Sequence, residues 1–229
     1  MLKNKNKTKI IEMSESYIVA VMLTITGGYL DSYTYITRDG VFANAQTGNI
    51  VLFGINLANG LYKTAFRYSI PLISFVIGVL ISDFFKTHAE KKLNLHWRQF
   101  SILLEIIVLL AVGFLTDPST NILATILVSF VCSLQVESFR KVHGHPFAST
   151  MCTGNLRSGS NNLYKYISTQ DKFYLHASLK YLGIIIFFIF GAYIGVKLTT
   201  LLFYKSVLLC IIPLIIAFLL MFKDTIELL

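Results

Sequence analysis

One phrase occurs twice in this chain, and each occurrence interrupts an apolar run. Gly40-Val41-Phe42-Ala43-Asn44-Ala45-Gln46-Thr47-Gly48-Asn49 returns, with two single-residue insertions, as Gly144-His145-Pro146-Phe147-Ala148-Ser149-Thr150-Met151-Cys152-Thr153-Gly154-Asn155. Each copy follows a long apolar segment that carries a polar residue, and each leads into a short run of helix-forming residues. A unit duplicated around a polar break is the pattern of membrane proteins that handle solutes where broken helices meet.

Composition agrees with a membrane setting. Over 229 residues the chain is 55% hydrophobic and 14% charged, with a mean hydropathy of +0.65, too little polar surface to cover a soluble domain of this size. Apolar runs reach about twenty residues, the length that crosses roughly 30 Å of hydrocarbon. The pattern predicts spans at about 15–36, 65–85, 99–116, 119–139, 176–198 and 205–222. Two further stretches, 47–59 and 153–166, begin at the repeated Thr-Gly-Asn and are too short or too polar to cross alone, so they read as broken or re-entrant helices. Asp31 and Tyr-rich sequence stand where a leader would be cleaved, which makes the first span an uncleaved one.

The net charge of +8 follows membrane topology rather than nucleic acid, because the 20 Lys and Arg residues lie in the connections and form no basic helix. With the N-terminus inside, six spans leave only Arg38, Lys63, Arg67, Lys197 and Lys205 outside and put the basic stretch Lys86–Arg98 in the cytoplasm, as the positive-inside rule requires. The expected fold is therefore an all-α integral membrane protein with both termini cytoplasmic and a basic tail at 1–13. Repeat one covers 15–116 and repeat two 119–222. Three spans per repeat invert the second copy relative to the first.

The repeat extends beyond the motif. Leu30 and Asp31 match Leu134 and Gln135, Asn56 and Leu57 match Asn162 and Leu163, and Phe75, Gly78 and Ser82 match Phe188, Gly191 and Gly195. Small residues four apart make a groove for a neighbouring helix, which would also serve a homodimer.

Thr47-Gly48-Asn49 and Thr153-Gly154-Asn155 each place a capping side chain, a flexible residue and an amide at a helix start, where backbone N–H groups and the positive dipole end are free. Facing each other, with Asn44 and Gln46 alongside, they would hold a small polar or anionic solute; the plainer alternative is that they only cap their helices. Asp31, deep in a span, costs several kcal/mol as an unpaired charge and is a candidate for proton or cation coupling, or else an acceptor for the broken backbone of its own repeat. Its counterpart Gln135 is neutral. Glu105, inside an apolar run, Glu137 near the cytoplasmic end and Arg157 after the second motif are candidates for coupling or gating.

Other chemistries find little support. His143-Gly144-His145 with Cys152 fits no zinc spacing, so no metal is expected. Cys132, Cys152 and Cys210 form no disulfide framework. Phosphate loops, HExxH and GxSxG are missing, so neither an enzyme nor a cofactor is expected. The expected partners are the lipid bilayer and a small solute, with no nucleic acid. A rival reading is a non-transporting scaffold; a third, a lipid-modifying enzyme, would need a water-accessible acid or metal.

The run Gly27-Gly28-Tyr29-Leu30-Asp31 followed by Gly40 to Val51, together with Leu134-Gln135, Phe147-Ala148 and Thr153-Gly154-Asn155, resembles the YoaK-like family of bacterial membrane proteins. The resemblance covers nearly the whole chain. It implies a small multi-pass protein of the bacterial plasma membrane and names no substrate. Val136 stands where that family often has Asn, so a polar role there is missing in this chain.

Overall fold

The computed structural model describes residues 9–88, 96–143, 145–223 and 225–228. Residues 1–8 of the expected basic tail, the basic positions Lys91 and Lys92, and Gly144 of the second motif copy lie outside the described residues.

Every segment expected to be helical is helical: α1 (Tyr17–Thr37), α2 (Gln46–Ala58), α3 (Tyr62–His88), α4 (Trp97–Val112), α5 (Asn121–Ser138), α6 (Cys152–Thr169), α7 (Lys172–Leu202) and α8 (Ile211–Leu220). Local chemistry sets several boundaries. The Ser16 side chain accepts from the Val19 amide and starts α1, His96 and Gln99 form a capping box at α4, and Asp171 caps α7. The chain leaves α1 through Asp39 and Gly40, both at positive φ, 60° and 74°, which is why a glycine opens the first motif. The expected last span is split: a 3-10 turn at Phe203–Leu208 precedes the ten-residue α8.

Two small antiparallel ladders accompany the helices. Strand β1 (Lys9–Glu12) pairs with β4 (Thr225–Leu228), which joins the two ends of the described chain, and β2 (Lys141–Val142) pairs with β3 (His145–Pro146) inside the second motif.

Helix packing follows the sequence repeat. Helix α1 packs on α7 as α5 packs on α3; α2 lies on α3 as α6 lies on α7; α1 meets α8 as α5 meets α4. Glycines make the two long crossings possible. A methyl added at Gly28 would strike the Phe188 carbonyl oxygen, one at Gly191 the Ile25 carbonyl, and one at Gly78 the Ser133 hydroxyl. Gly78 in α3 and Gly191 and Gly195 in α7, three of the matched small residues, are thus contact points with α5 and α1.

Among the described residues three helical stretches are long and apolar enough to cross a membrane: Tyr62–Thr87, Pro118–Ser138 and Lys172–Leu208. The expectation was six. Helix α1 has 21 residues but carries Thr24, Thr26, Asp31 and Thr34 on buried positions; protein on several sides lets its surface be polar. Helix α4, at 16 residues, reaches about 24 Å, and α8 is shorter. By contrast α3 and α7 expose Leu80, Phe84, Ile186, Ile189 and Phe190.

Arg38 lies just past the end of α1, in the connection where the sequence put it. It is fully buried, donating to Tyr33 Oη at 2.7 Å, the Leu115 carbonyl at 2.9 Å and Asn121 Oδ1 at 3.0 Å, with its guanidinium 4.4 Å from the Tyr204 ring centroid. One side chain thereby ties the end of α1 to the end of α4, the start of α5 and the turn before α8.

The crossings make a direct stability prediction. Gly28→Ala and Gly78→Ala are each expected to cost roughly 1–3 kcal/mol by overpacking. Gly54→Ala in α2, where the added methyl meets open space, should be neutral or stabilising by up to about 1 kcal/mol. Thermal unfolding of the purified protein compares the three.

Candidate functional site

Between α1 and α2 the chain is non-helical and largely buried from Val41 to Ala45, and side chains accept from its backbone amides. The Phe42 amide donates to Asn49 Oδ1 at 3.0 Å, Ala43 to Thr34 Oγ1 at 3.1 Å, and Asn44 and Ala45 to Asp31 Oδ1 at 2.7 and 3.3 Å. Four successive N–H groups are met by three side chains from the two flanking helices. Asp31 is therefore the acceptor for the broken backbone of its own repeat.

The second copy keeps part of this scheme. Asn49 Nδ2 donates to the Phe42 carbonyl at 2.8 Å, and Asn155 Nδ2 donates to the Ala148 carbonyl at 2.7 Å, each reaching seven residues back. Gln135, in the place of Asp31, instead donates to Ser149 Oγ at 2.8 Å and the Leu23 carbonyl at 3.2 Å. The repeat therefore preserves the clamp and changes the charge.

Thr47 and Thr153 do not cap their helices. The cap positions are Ala45 and Met151, neither with a side-chain cap bond, and both threonines are exposed. The capping expectation fails because the acceptor for the α2 entrance comes from α1, a partner that local spacing does not reveal.

Both entrances open on one cleft of about 1010 Å³. From the first copy it is lined by Asp31, Asn44, Gln46 and Thr47, and from the second by Thr153 and Gly154, with Thr150 and Cys152 beside them. The structure thus brings together six of the residues singled out from the sequence. Gly48 packs on the Phe42 ring, whereas a methyl on Gly154 would meet open space. Asn49, Gln135 and Asn155 are buried behind the cleft as braces. Asn44 is buried too: its amide reaches the Gly27 carbonyl at 3.4 Å, and its Oδ1 has no hydrogen-bond partner.

The remaining candidates lie elsewhere. Glu105 sits in the apolar core, 1% exposed, with neither carboxyl oxygen hydrogen-bonded. Glu137 is buried and ion-paired with Arg140, and Arg157 is exposed on α6. Among the described residues no cluster of His, Cys, Asp and Glu could hold a metal.

Sequence reasoning missed most of the cleft wall. Tyr35 and Phe42, stacked with centroids 5.0 Å apart, and Phe75 and Phe188 make it aromatic. The last two stood in matching positions of the repeat, the signal that could have marked them, but read as helix packing.

The fold and the cleft define a many-helix membrane protein built on a duplicated, side-chain-braced chain break. The chain belongs to the family described as a protein of unknown function (DUF1275), which matches residues 19–220. It is similar to the UPF0700 transmembrane protein YoaK of Bacillus subtilis (strain 168), 29% identical over 140 residues, or 60% of this chain and 62% of that protein. The chain thus spans less than two thirds of that relative's length. No solved structure matches.

The braces predict unequal losses. Asn49→Ala removes bonds to the Phe42 amide, the Phe42 carbonyl and Gln46 Oε1, whereas Asn155→Ala removes the bond to Ala148. Each is expected to destabilise by roughly 1–3 kcal/mol, with Asn49→Ala the more severe in thermal unfolding.

Proposed function

We propose that this protein binds a small polar organic solute in the cleft between the two motif copies and moves it across the bacterial plasma membrane, as a secondary transporter or channel. The observation that carries the reading is that two duplicated chain breaks, far apart in sequence, line one cavity. A cavity of that size accommodates an organic molecule rather than a bare ion.

The architecture proposed is six crossings in two inverted repeats. The exchange of packing partners between the halves supports it, as expected when two copies are related by a two-fold axis in the membrane plane. Pairing of β1 with β4 supports an even number of crossings, because it keeps the two ends on one side. The positive-inside pattern favours the cytoplasmic side for both. Helices α1 and α5 are then the central pair, and the exposed apolar faces of α3 and α7 meet lipid or a second copy. No catalytic reaction is assigned.

A scaffold or accessory role is the second reading, favoured by one observation: Asn49 and Asn155 are engaged with their own loops and not with the cleft.

Two measurements test the proposal. Single cysteines at positions 60 and 168 are expected to react with an impermeant reagent from opposite faces of the membrane; reaction from the same face would end the inverted arrangement. A metabolite screen by thermal stabilisation should find compounds that raise the melting temperature of the wild type. Thr47→Trp and Thr153→Trp, which fill the cleft without touching its braces, should abolish that rise. A scaffold would give no stabilising compound and would lose assembly, not flux, on cleft filling.

A further inference from the structure

We infer that the cleft selects an organic ammonium with an apolar body and rejects anions; this rests on the reading of the cleft as a solute site. The anion position at the α2 entrance is already filled, because Asp31 Oδ1 accepts from the Asn44 and Ala45 amides. At the start of α2 the Gln46 and Gly48 amides are bonded as well, to the Asn44 and Ala45 carbonyls, so beside the Asp31 carboxylate this helix end has little left to offer an anion.

What the cleft holds at that end is a single carboxylate. Asp31 lines the cavity and is the one acidic side chain among the described lining residues, which include no Lys, Arg or His. A charge-assisted donor is the strongest complement to a carboxylate.

The walls add a second selection. Tyr35, Phe42, Phe75 and Phe188 present aromatic surface to the cavity, and aromatic faces attract cations while burying an apolar chain. The second half supplies no opposing charge, since Gln135 replaces the acid and is engaged with Ser149 and Leu23. An anion would therefore meet a carboxylate and aromatic faces, whereas an ammonium meets the Asp31 carboxylate at one end and apolar walls along its length.

Cys152, half-exposed on the cleft wall, is a native reporter. The intact protein in neutral-lipid nanodiscs is treated with a maleimide in the presence of hexylammonium, hexan-1-ol or hexanoate, which share one chain and differ in the head. Hexylammonium is expected to protect Cys152 at about ten-fold lower concentration than hexanoate, with the alcohol between them. In Asp31→Asn, which keeps a carbonyl for the two amides, the advantage of the ammonium over the alcohol should vanish. Should that variant fail to fold, the wild-type comparison still decides. Protection by hexanoate equal to or better than by hexylammonium overturns the selectivity and leaves the solute site standing. No protection by any of the three overturns both.

Discussion

An extended stretch of backbone inside an apolar protein survives only if each of its N–H groups finds an acceptor, and here Asp31 supplies two of the four required. Thr34 and Asn49 supply the others. These bonds account for a charged residue in a helix that carries no other. Without these acceptors the break would carry several buried unpaired amides, each costing on the order of 1–3 kcal/mol, and a continuous helix would be favoured.

Around that brace the rest of the molecule is arranged by close helix approach. Glycines let α7 touch α1 and α3 touch α5 at backbone distance, so the elements that follow the two breaks are pulled against the elements that precede them. The breaks then face one another across a cleft instead of lying apart. Buried Arg38 fixes the other end of α1 through neutral partners and the Tyr204 ring, a hydrogen-bonded arrangement that needs no carboxylate. The two halves share a backbone plan but not a charge: Asp31 has no acidic counterpart, which gives the cleft one electrostatically distinct end.

Much of this was legible in the residues. Hydrophobic runs and the repeated phrase located all eight helices, because apolar length and duplication are local properties of a sequence. The matched Gly78 and Gly191 are where α3 and α7 come closest to α5 and α1. Helix boundaries were less legible: α7 begins at Lys172, and the last span divides at Phe203–Leu208, because turn formation there depends on what Tyr29 and Tyr33 hydrogen-bond across the fold. Thr47 and Thr153 read as caps because capping is usually local, whereas the acceptor at α2 is thirteen or more residues away. The burial of Arg38 was not legible, because the carbonyl, amide and aromatic groups that enclose it come from elements far away in sequence. Hydropathy also cannot tell a lipid-facing helix from one sheathed by protein, the distinction between α3 and α1.

The central claim is that both motif copies form the wall of one cavity. Its most direct test joins them chemically. Thr47→Cys is introduced with Cys132 and Cys210 replaced by alanine, so that the new thiol and native Cys152 are the reactive pair, and the folded protein is treated with a flexible bifunctional thiol reagent. Peptide mass spectrometry is expected to find an intramolecular link between positions 47 and 152. If both thiols react singly with a monofunctional reagent yet no such link forms, the two breaks do not share a cavity and the account fails.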